Sequence, residues 1–320
     1  MKTNRFKEFL PVSVNNICII TPTFNRNKQL NRLLKTLTEQ TLTVENIIVA
    51  DGMGNAKEIV NNYQDQLPVS WLNCPVQGQI PQRNYALQEL PSDCKIVIYF
   101  DDDMQLESNA IEEMVDFWNK QMTVPAGVGF NITNLPPEKP DNIFRHLFCI
   151  ATEPRGKVWK SGYNSPFGNH KQNMATEWLP GGVTAWRRDI LDAYSIPDIP
   201  SRWAVCEDLI FSYPVGKNEP LFLCHKAKVK HIDDITKLGF YKCVEHGKNT
   251  VLWRLYFVSM NPDLSVLLFY WMNIGLLLGY AARSIKGSGD QLGYLVGTLL
   301  GVFSSLRSML LGKNIRDLLR

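Results

Sequence analysis

The chain has 320 residues, 45% of them hydrophobic and 20% charged, with a formal net charge of +3. That composition suits one large or two modest globular domains with a core of their own, and it excludes disordered, collagenous and disulfide-rich classes. A charge of +3 is too small for a nucleic-acid binder, but its distribution is informative: residues 1–250 sum to −1 and residues 251–320 to +4. The seven cysteines form no CxxC pair and read as small buried apolar residues rather than zinc ligands or a disulfide framework. The opening MKTNRFKEFLPVSVNN has no apolar h-region, so no signal peptide is expected.

In chain order, the first 130 residues alternate between two periods. ICIITP (17–22), ENIIVADG (45–52), PVSWLN (68–73), KIVIYFDDD (95–103) and AGVGFNI (126–132) have the length and apolar content of buried strands. Between them, residues 27–40 place Leu30, Leu33, Leu34 and Leu37 on one helical face, and residues 79–90 and 107–121 also read as amphipathic helices. Alternating apolar strands and helices predict an α/β fold with a mostly parallel central sheet covered on both faces. Residues 133–176 are irregular and rich in Pro, Gly and aromatics, which suits a binding loop. Order resumes at WLPGGVTAWRRDIL (178–191) and CEDLIFSYPVGK (206–217), and two short strands, PLFLC and AKVKHI, are predicted after them.

Chemistry in such a sheet gathers at the carboxyl ends of the strands. The first strand carries no GxGxxG, and GxxxxGK[ST] is absent throughout, which argues against dinucleotide and P-loop sites. The strongest local signal is Asp101-Asp102-Asp103 closing an apolar strand. In extended chain Asp101 and Asp103 project to one side and would offer hard oxygen ligands to Mg²⁺ or Mn²⁺, whose shell water and a substrate phosphate complete. An acidic turn capping the next helix is the ordinary alternative. Glu207-Asp208 opens a predicted helix, as a cap or as a general base facing the metal–phosphate site.

The ordered set TPTFNR, VADG, QRNYAL, YFDDDM, LPGGVTAWRRD, CEDLIFSY and KVKH resembles family-2 glycosyltransferases of the GT-A fold, over roughly residues 16–232. The resemblance implies residue roles. Pro22 and Thr23 hold the nucleotide. Asp51 recognises the base. Arg83 and Asn84 contact the nucleotide or its phosphates. Asp101 and Asp103, with Asp102 between them, bind ribose and the metal bridging the diphosphate. Gly181 and Gly182 let the backbone approach the donor sugar, Asp208 with its neighbour Glu207 supplies the catalytic base, and His231 lies near the metal or diphosphate. Taken singly, Asp51 also reads as a turn residue, Arg83-Asn84 as an exposed polar face, Gly181-Gly182 as a turn and His231 as a strand-end histidine.

Two departures from the family pattern stand out. Asp51 is followed by Gly52-Met53-Gly54, and NTVLWRLYF offers Trp253-Arg254 in place of a QxxRW motif, which disfavours a processive polymerase. The implied activity is inverting transfer of a single sugar from a nucleotide-sugar donor to a hydroxyl of a glycan or lipid-linked acceptor, in cell-surface polysaccharide or glycolipid synthesis, with Mn²⁺ or Mg²⁺. A sugar-phosphate nucleotidyltransferase and a non-catalytic membrane-anchored nucleotide-sugar-binding protein are the alternatives.

Residues 264–282 and 291–306 carry no charge, and the second run reaches Leu311 if Arg307 snorkels. They suit a helical hairpin on or through a membrane, with Arg307, Lys313, Arg316 and Arg320 at an anionic cytoplasmic surface; a soluble helical domain is the alternative. The expected organisation is an N-terminal tail (1–15), a GT-A domain (16–235, with a nucleotide-binding half at 16–130 and an acceptor half at 131–235) and a helical, membrane-associated region (236–320).

Overall fold

A computed structural model describes residues 11–135, 140–194, 205–232, 239–285 and 289–319. Most of the predicted N-terminal tail and residues 286–288 of the connector between the two apolar runs lie outside the described residues. The chain divides into two compact units. The first comprises Met1–Pro137, Gly168–Asp198 and Phe211–Asp233; the second comprises Glu138–Phe167, Ile199–Ile210 and Asp234–Arg320.

The first unit is built on a sheet of nine strands among the described residues: β1 (Ile17–Thr23), β2 (Asn46–Asp51), β3 (Val69–Asn73), β4 (Ile96–Phe100), β5 (Met104–Leu106), β6 (Gly127–Ile132), β7 (Met174–Thr176), β8 (Val183–Arg187) and β9 (Leu221–His231). Their order is β3-β2-β1-β4-β8-β6-β9-β5, with β7 also on β9. Strands β1 to β4 run parallel, as the apolar runs predict. The other half is mixed: β8 is antiparallel to both β4 and β6, while β6 and β9 are parallel. All of β1 and β4 is buried. On one face Ile17, Ile19, Ile47, Val49, Ile96 and Ile98 pack with Leu30, Leu33, Leu34 and Leu37 of helix α1 (Asn27–Thr38) and with Met114 and Trp118 of the helix Ala110–Lys120. Burying each Leu contributes roughly 1.5–3 kcal/mol relative to exposure. The predicted leucine face is therefore what holds α1 down.

Three local expectations change. PLFLC and AKVKHI form one strand, β9, rather than two. Its pairing with β6 jumps from Phe130↔Cys224 to Asn131↔Lys228, so residues 225–227 bulge. The buried Asn131 amide fills the gap, donating to the carbonyls of His225 at 2.9 Å and His170 at 3.0 Å. A bulge leaves backbone carbonyls unpaired, and polarity alone makes it look like a break between strands. The three aspartates are not extended either. They form a turn between β4 and β5 that closes with the N–H of Met104 on the carbonyl of Asp101 at 3.1 Å. The irregular stretch 133–176 holds a short helix, Ile143–Leu147, and strand β7.

The second unit is dominated by three long helices, Phe240–Met260, Val266–Ser284 and Gly289–Leu310. The last two are long and apolar enough to cross a membrane. The helix Gly289–Leu310 is inverted relative to a soluble core helix. It buries Gly293, Gly297, Gly301, Ser305 and Ser308, while Leu299, Leu300, Phe303, Leu306 and Met309 are exposed. Its glycines press on the backbone of Phe240–Met260: a Cβ on Gly293 would meet the Phe240 carbonyl at 2.7 Å, and one on Gly297 would overlap the carbonyl of Val244. Small residues inside and large apolar residues outside is the pattern of helices that pack against each other in lipid. Gly297→Val is expected to destabilise the protein by about 1–3 kcal/mol through overpacking. Thermal unfolding in detergent measures this, and an unchanged midpoint would refute the close contact.

Candidate active site

The strand order reverses direction between β1 and β4, since β2 and β3 follow β1 on one side and β4 opens the other. A crevice outside the carboxyl ends is the consequence of such a switch point. Pairing of β1 with β4 ends at Ile20↔Tyr99, so Pro22, which has no N–H to donate, sits where that ladder has already parted. Past this point β1 delivers Thr23 and the loop to Arg26, and β4 delivers Asp101, Asp102 and Asp103.

The three carboxylates take different partners. Asp101 accepts from Arg83 at 2.6 Å and from the Gln79 amide, both on the helix Gln79–Gln88. Asp102 accepts from the Thr23 hydroxyl at 2.7 Å and lies 3.3 Å from Arg26. Asp103 accepts from Arg26 at 2.8 Å and faces His231 Nε2 at 3.4 Å. Arg26 therefore bridges the second and third aspartates. Burial pushes the Asp102 carboxyl up to about 7 against the pull of Arg26 and Thr23. Burial also raises Asp103, but His231 and Arg26 outweigh it and hold that carboxyl below the usual range. The Asp103–His231 approach follows from sheet register, because β5 starts at Met104 and pairs it with His231.

Gly182 explains the glycine pair. The N–H of Asp101 donates to the Gly182 carbonyl at 2.8 Å, and a Cβ on Gly182 would overlap the Asp101 carboxylate. Gly181 precedes it in the same turn into β8. Asp51 is fully buried at the end of β2. It accepts from the N–H of Met53 at 2.9 Å, the N–H of Ala56 at 2.7 Å and the Trp71 indole at 3.0 Å. Burial raises this carboxyl, and those donors together with Gly54 outweigh it and hold it below the usual range. Asp51 thus shapes the loop of Gly52 to Ala56.

The motif singles out Arg83 and Asn84 and leaves Gln79 and Gln82, on the same helix, without a role. Gln82 is buried and clamps two strand ends, donating to the carbonyls of Thr23 at 2.8 Å and Ala50 at 2.6 Å. A Cβ on Gly52 would come within 2.9 Å of it. Gln79, Gln82 and Arg83 share one helical face by their spacing. That spacing, and a cation directly behind the end of β1 at Arg26, were the available signals. Asn84 is half-buried on the next position of the same helix. Glu207 and Asp208 belong to the second unit, on the first turn of the helix Glu207–Gly216. The Asp208 carboxylate accepts from the N–H of Leu209 at 2.8 Å. Arg254 braces the loop of the same unit by donating to the Gly162 carbonyl and to Asn164.

Comparison with known proteins bears on this arrangement. A sequence model of the family described as Glycosyl transferase family 2 matches residues 18–194. The chain belongs to that family. This family 2 glycosyltransferase is 30% identical over 239 residues to the uncharacterized glycosyltransferase YwdF of Bacillus subtilis (strain 168), spanning 69% of this chain and 83% of the relative. Its fold is similar to that of the mannosyltransferase PcManGT from Pyrobaculum calidifontis, solved in complex with GDP-Man and Mn²⁺, with a TM-score of 0.53, 14% identity and coverage of 98% and 94%. It is also similar to S. aureus TarS 1–349, with a TM-score of 0.50, 16% identity and coverage of 93% and 92%. The α/β fold of the GT-A kind and the enzyme class are those the motifs implied, and family membership decides against the nucleotidyltransferase and binding-protein alternatives.

Among the described residues no three His, Cys, Asp or Glu side chains converge as a metal cage. The site nevertheless has the donors for a divalent cation: the buried Asp103 carboxylate opposite an imidazole nitrogen, with Asp101 on the same turn. Two or three protein ligands suit an ion that completes its shell with water and phosphate. Two outcomes are expected from the geometry. Gly182→Ala displaces the Asp101 carboxylate and should weaken nucleotide binding at least tenfold with little change in melting temperature, as read by calorimetric titration beside thermal unfolding. Arg26→Gln leaves Asp102 and Asp103 without their shared cation. Its melting temperature in EDTA should fall by a few degrees and recover in MnCl₂; an unchanged midpoint in EDTA would contradict the bridging role, and an equal loss under both conditions would contradict a cation site beside it.

Proposed function

We propose that this glycosyltransferase moves one sugar, with inversion, from a nucleotide-sugar donor to a hydroxyl of a glycan or lipid-linked acceptor. The carrying observation is the aspartate turn at the switch point, ringed by Arg26, Arg83 and His231. A nucleoside diphosphate leaving group brings two phosphates to this place. Arg26 and Arg83 are positioned to bear the charge that develops on it, and Thr23 and Asp102 hold the end of β1 beside it. The residues that would hold a Mn²⁺ or Mg²⁺ ion are Asp103 and His231, with Asp101. The ion would act there as a Lewis acid that offsets charge on the departing diphosphate. The Mn²⁺ complex of PcManGT supports this choice.

Asp208, assisted by Glu207, is the general base that takes the proton from the acceptor hydroxyl as it attacks. Its place on an initial helical turn leaves it half-exposed, open to an incoming hydroxyl. Donor contacts fall to Pro22, Thr23, Asp51, Arg83, Asn84, Asp101, Asp102, Gly181 and Gly182. Residues 16–235 form the catalytic domain in this reading, and residues 236–320 anchor it to the cytoplasmic face of a membrane. The inverted helix Gly289–Leu310 and the basic residues that follow it support the anchor. Synthesis of a surface polysaccharide or glycolipid is the process that fits such a placement.

Asp208→Asn should lower the transfer rate by at least a thousandfold while the affinity for nucleoside diphosphate stays within about threefold, since a base acts in the transition state and not in donor binding. Near-parental turnover by that variant would overturn the assignment. Asp103→Ala should remove the Mn²⁺ dependence of nucleoside diphosphate binding, read by titration with Mn²⁺ or with EDTA.

A further inference from the structure

One group of exposed apolar side chains lies far in sequence from the two long apolar helices. Ile143, Phe144 and Leu147 share a face of the short helix Ile143–Leu147, and Ile143 and Leu147 are 87% and 58% exposed. The helix is firmly held. Asn142 caps it by accepting from the N–H of Arg145 at 2.9 Å. Asp141, just before it, accepts from the N–H and hydroxyl of Thr152, each at 2.8 Å, and from the N–H of Glu153 at 2.9 Å. The exposure of these side chains therefore belongs to a fixed structure.

The short helix is also seated on the first of the two apolar helices, Val266–Ser284. Phe148 stacks on Trp271 with ring centroids 4.9 Å apart, and Phe144 packs on Phe148 at 4.8 Å. The Trp271 indole donates to the Leu147 carbonyl at 2.7 Å. Gly275 makes room, since a Cβ there would overlap Phe148. Trp271 belongs to the exposed stripe Leu267, Trp271, Ile274, Leu278 of that helix. One apolar surface thus runs from the long helix onto the short one.

The level of this surface along the hairpin is defined. The Tyr270 hydroxyl lies 3.1 Å from Ser305 and bonds Met309, so Trp271 stands at the end of Gly289–Leu310 that leads into Arg307, Lys313 and Arg316. The N–H of Ser265 donates to the Lys160 carbonyl at 2.8 Å, which brings the loop carrying Arg155, Lys157 and Lys160 to the same end. Aromatics and cations gathered at one end of an apolar hairpin mark a membrane–water interface. A second copy of the chain fits this face less well, because an isologous contact would bring these cations against themselves.

We propose that the helix Ile143–Leu147 is a third lipid-contacting element, lying in the headgroup region of an anionic bilayer with Ile143 and Leu147 reaching the acyl boundary. The inference rests on the membrane placement of the two long helices. The test uses the full-length protein in nanodiscs of phosphatidylcholine and phosphatidylglycerol, with an environment-sensitive thiol probe on Ile143→Cys, Leu278→Cys or Met122→Cys. Met122 is 99% exposed in the first unit and serves as the water reference. The unsubstituted protein corrects for native cysteines. The probe at position 143 is expected to emit to the blue of that at 122, and to be quenched at least twofold more by brominated acyl chains. A probe at 278 that is quenched while that at 143 behaves like 122 overturns the inference and leaves the anchor standing. If neither 143 nor 278 is quenched, the anchor itself falls, and the inference with it. A blue shift at 143 that grows with protein concentration and ignores brominated lipid assigns the face to a second copy and also overturns it.

Discussion

Three carboxylates on consecutive residues, half or more removed from water, must be neutralised, and most of the first unit is arranged to do so. Like charges at this spacing in a poorly solvated place are unstable alone. The fold answers with a partner from each neighbouring element: the guanidinium of Arg83 from the helix after β3, that of Arg26 from the loop after β1, and the imidazole of His231 from the end of β9. Gln79 and the Thr23 hydroxyl add neutral donors. Elements that meet nowhere else in sequence are therefore tied to one turn. In the proposed function, a partly neutralised anionic turn beside Arg26 and Arg83 would let a diphosphate and its counter-ion enter by exchanging partners rather than by creating new charge.

The second unit solves a different problem by the reverse rule. In the first unit Leu, Ile and Phe are inside and hold helices to the sheet. In Gly289–Leu310 glycine and serine are inside and the large apolar side chains face out. Contact there rests on close backbone approach, at Gly293 and Gly297 against Phe240–Met260, which only small residues permit and which needs no hydrophobic effect to favour it if the pair lies in lipid as proposed. The same small-for-large logic recurs at Gly275, whose missing side chain seats Phe148.

What could be read from the sequence follows from how much pattern each feature leaves. Apolar runs such as ICIITP and KIVIYF leave a strong one, and so do leucines three and four residues apart in α1; these elements lie where the periodicity puts them. The carboxylates were visible because charge at the end of an apolar strand is conspicuous. The roles of Arg26, Gln79 and Gln82 leave no such mark, because a polar side chain on a helix or loop looks the same whether it faces water or a buried carbonyl. Alternation misplaced the aspartates by treating a turn as extended chain. The continuity of β9 was hidden because its bulge places polar residues, His225 and Lys226, in mid-strand.

That bulge has a further consequence. In a ladder with a two-residue period, sliding one strand by a single position turns every side chain to the opposite face. At the bulge the Asn131 amide spans the gap, donating to the carbonyls of His225 and His170, and beyond it β9 resumes pairing in the shifted register. His231 lies six residues downstream of His225, and it meets Asp103 only in this register. An uncharged side chain in the middle of the sheet thereby supports, together with the pairing of β5, the register in which the imidazole faces Asp103. Sequence drift at Asn131 would reach the candidate site without touching it.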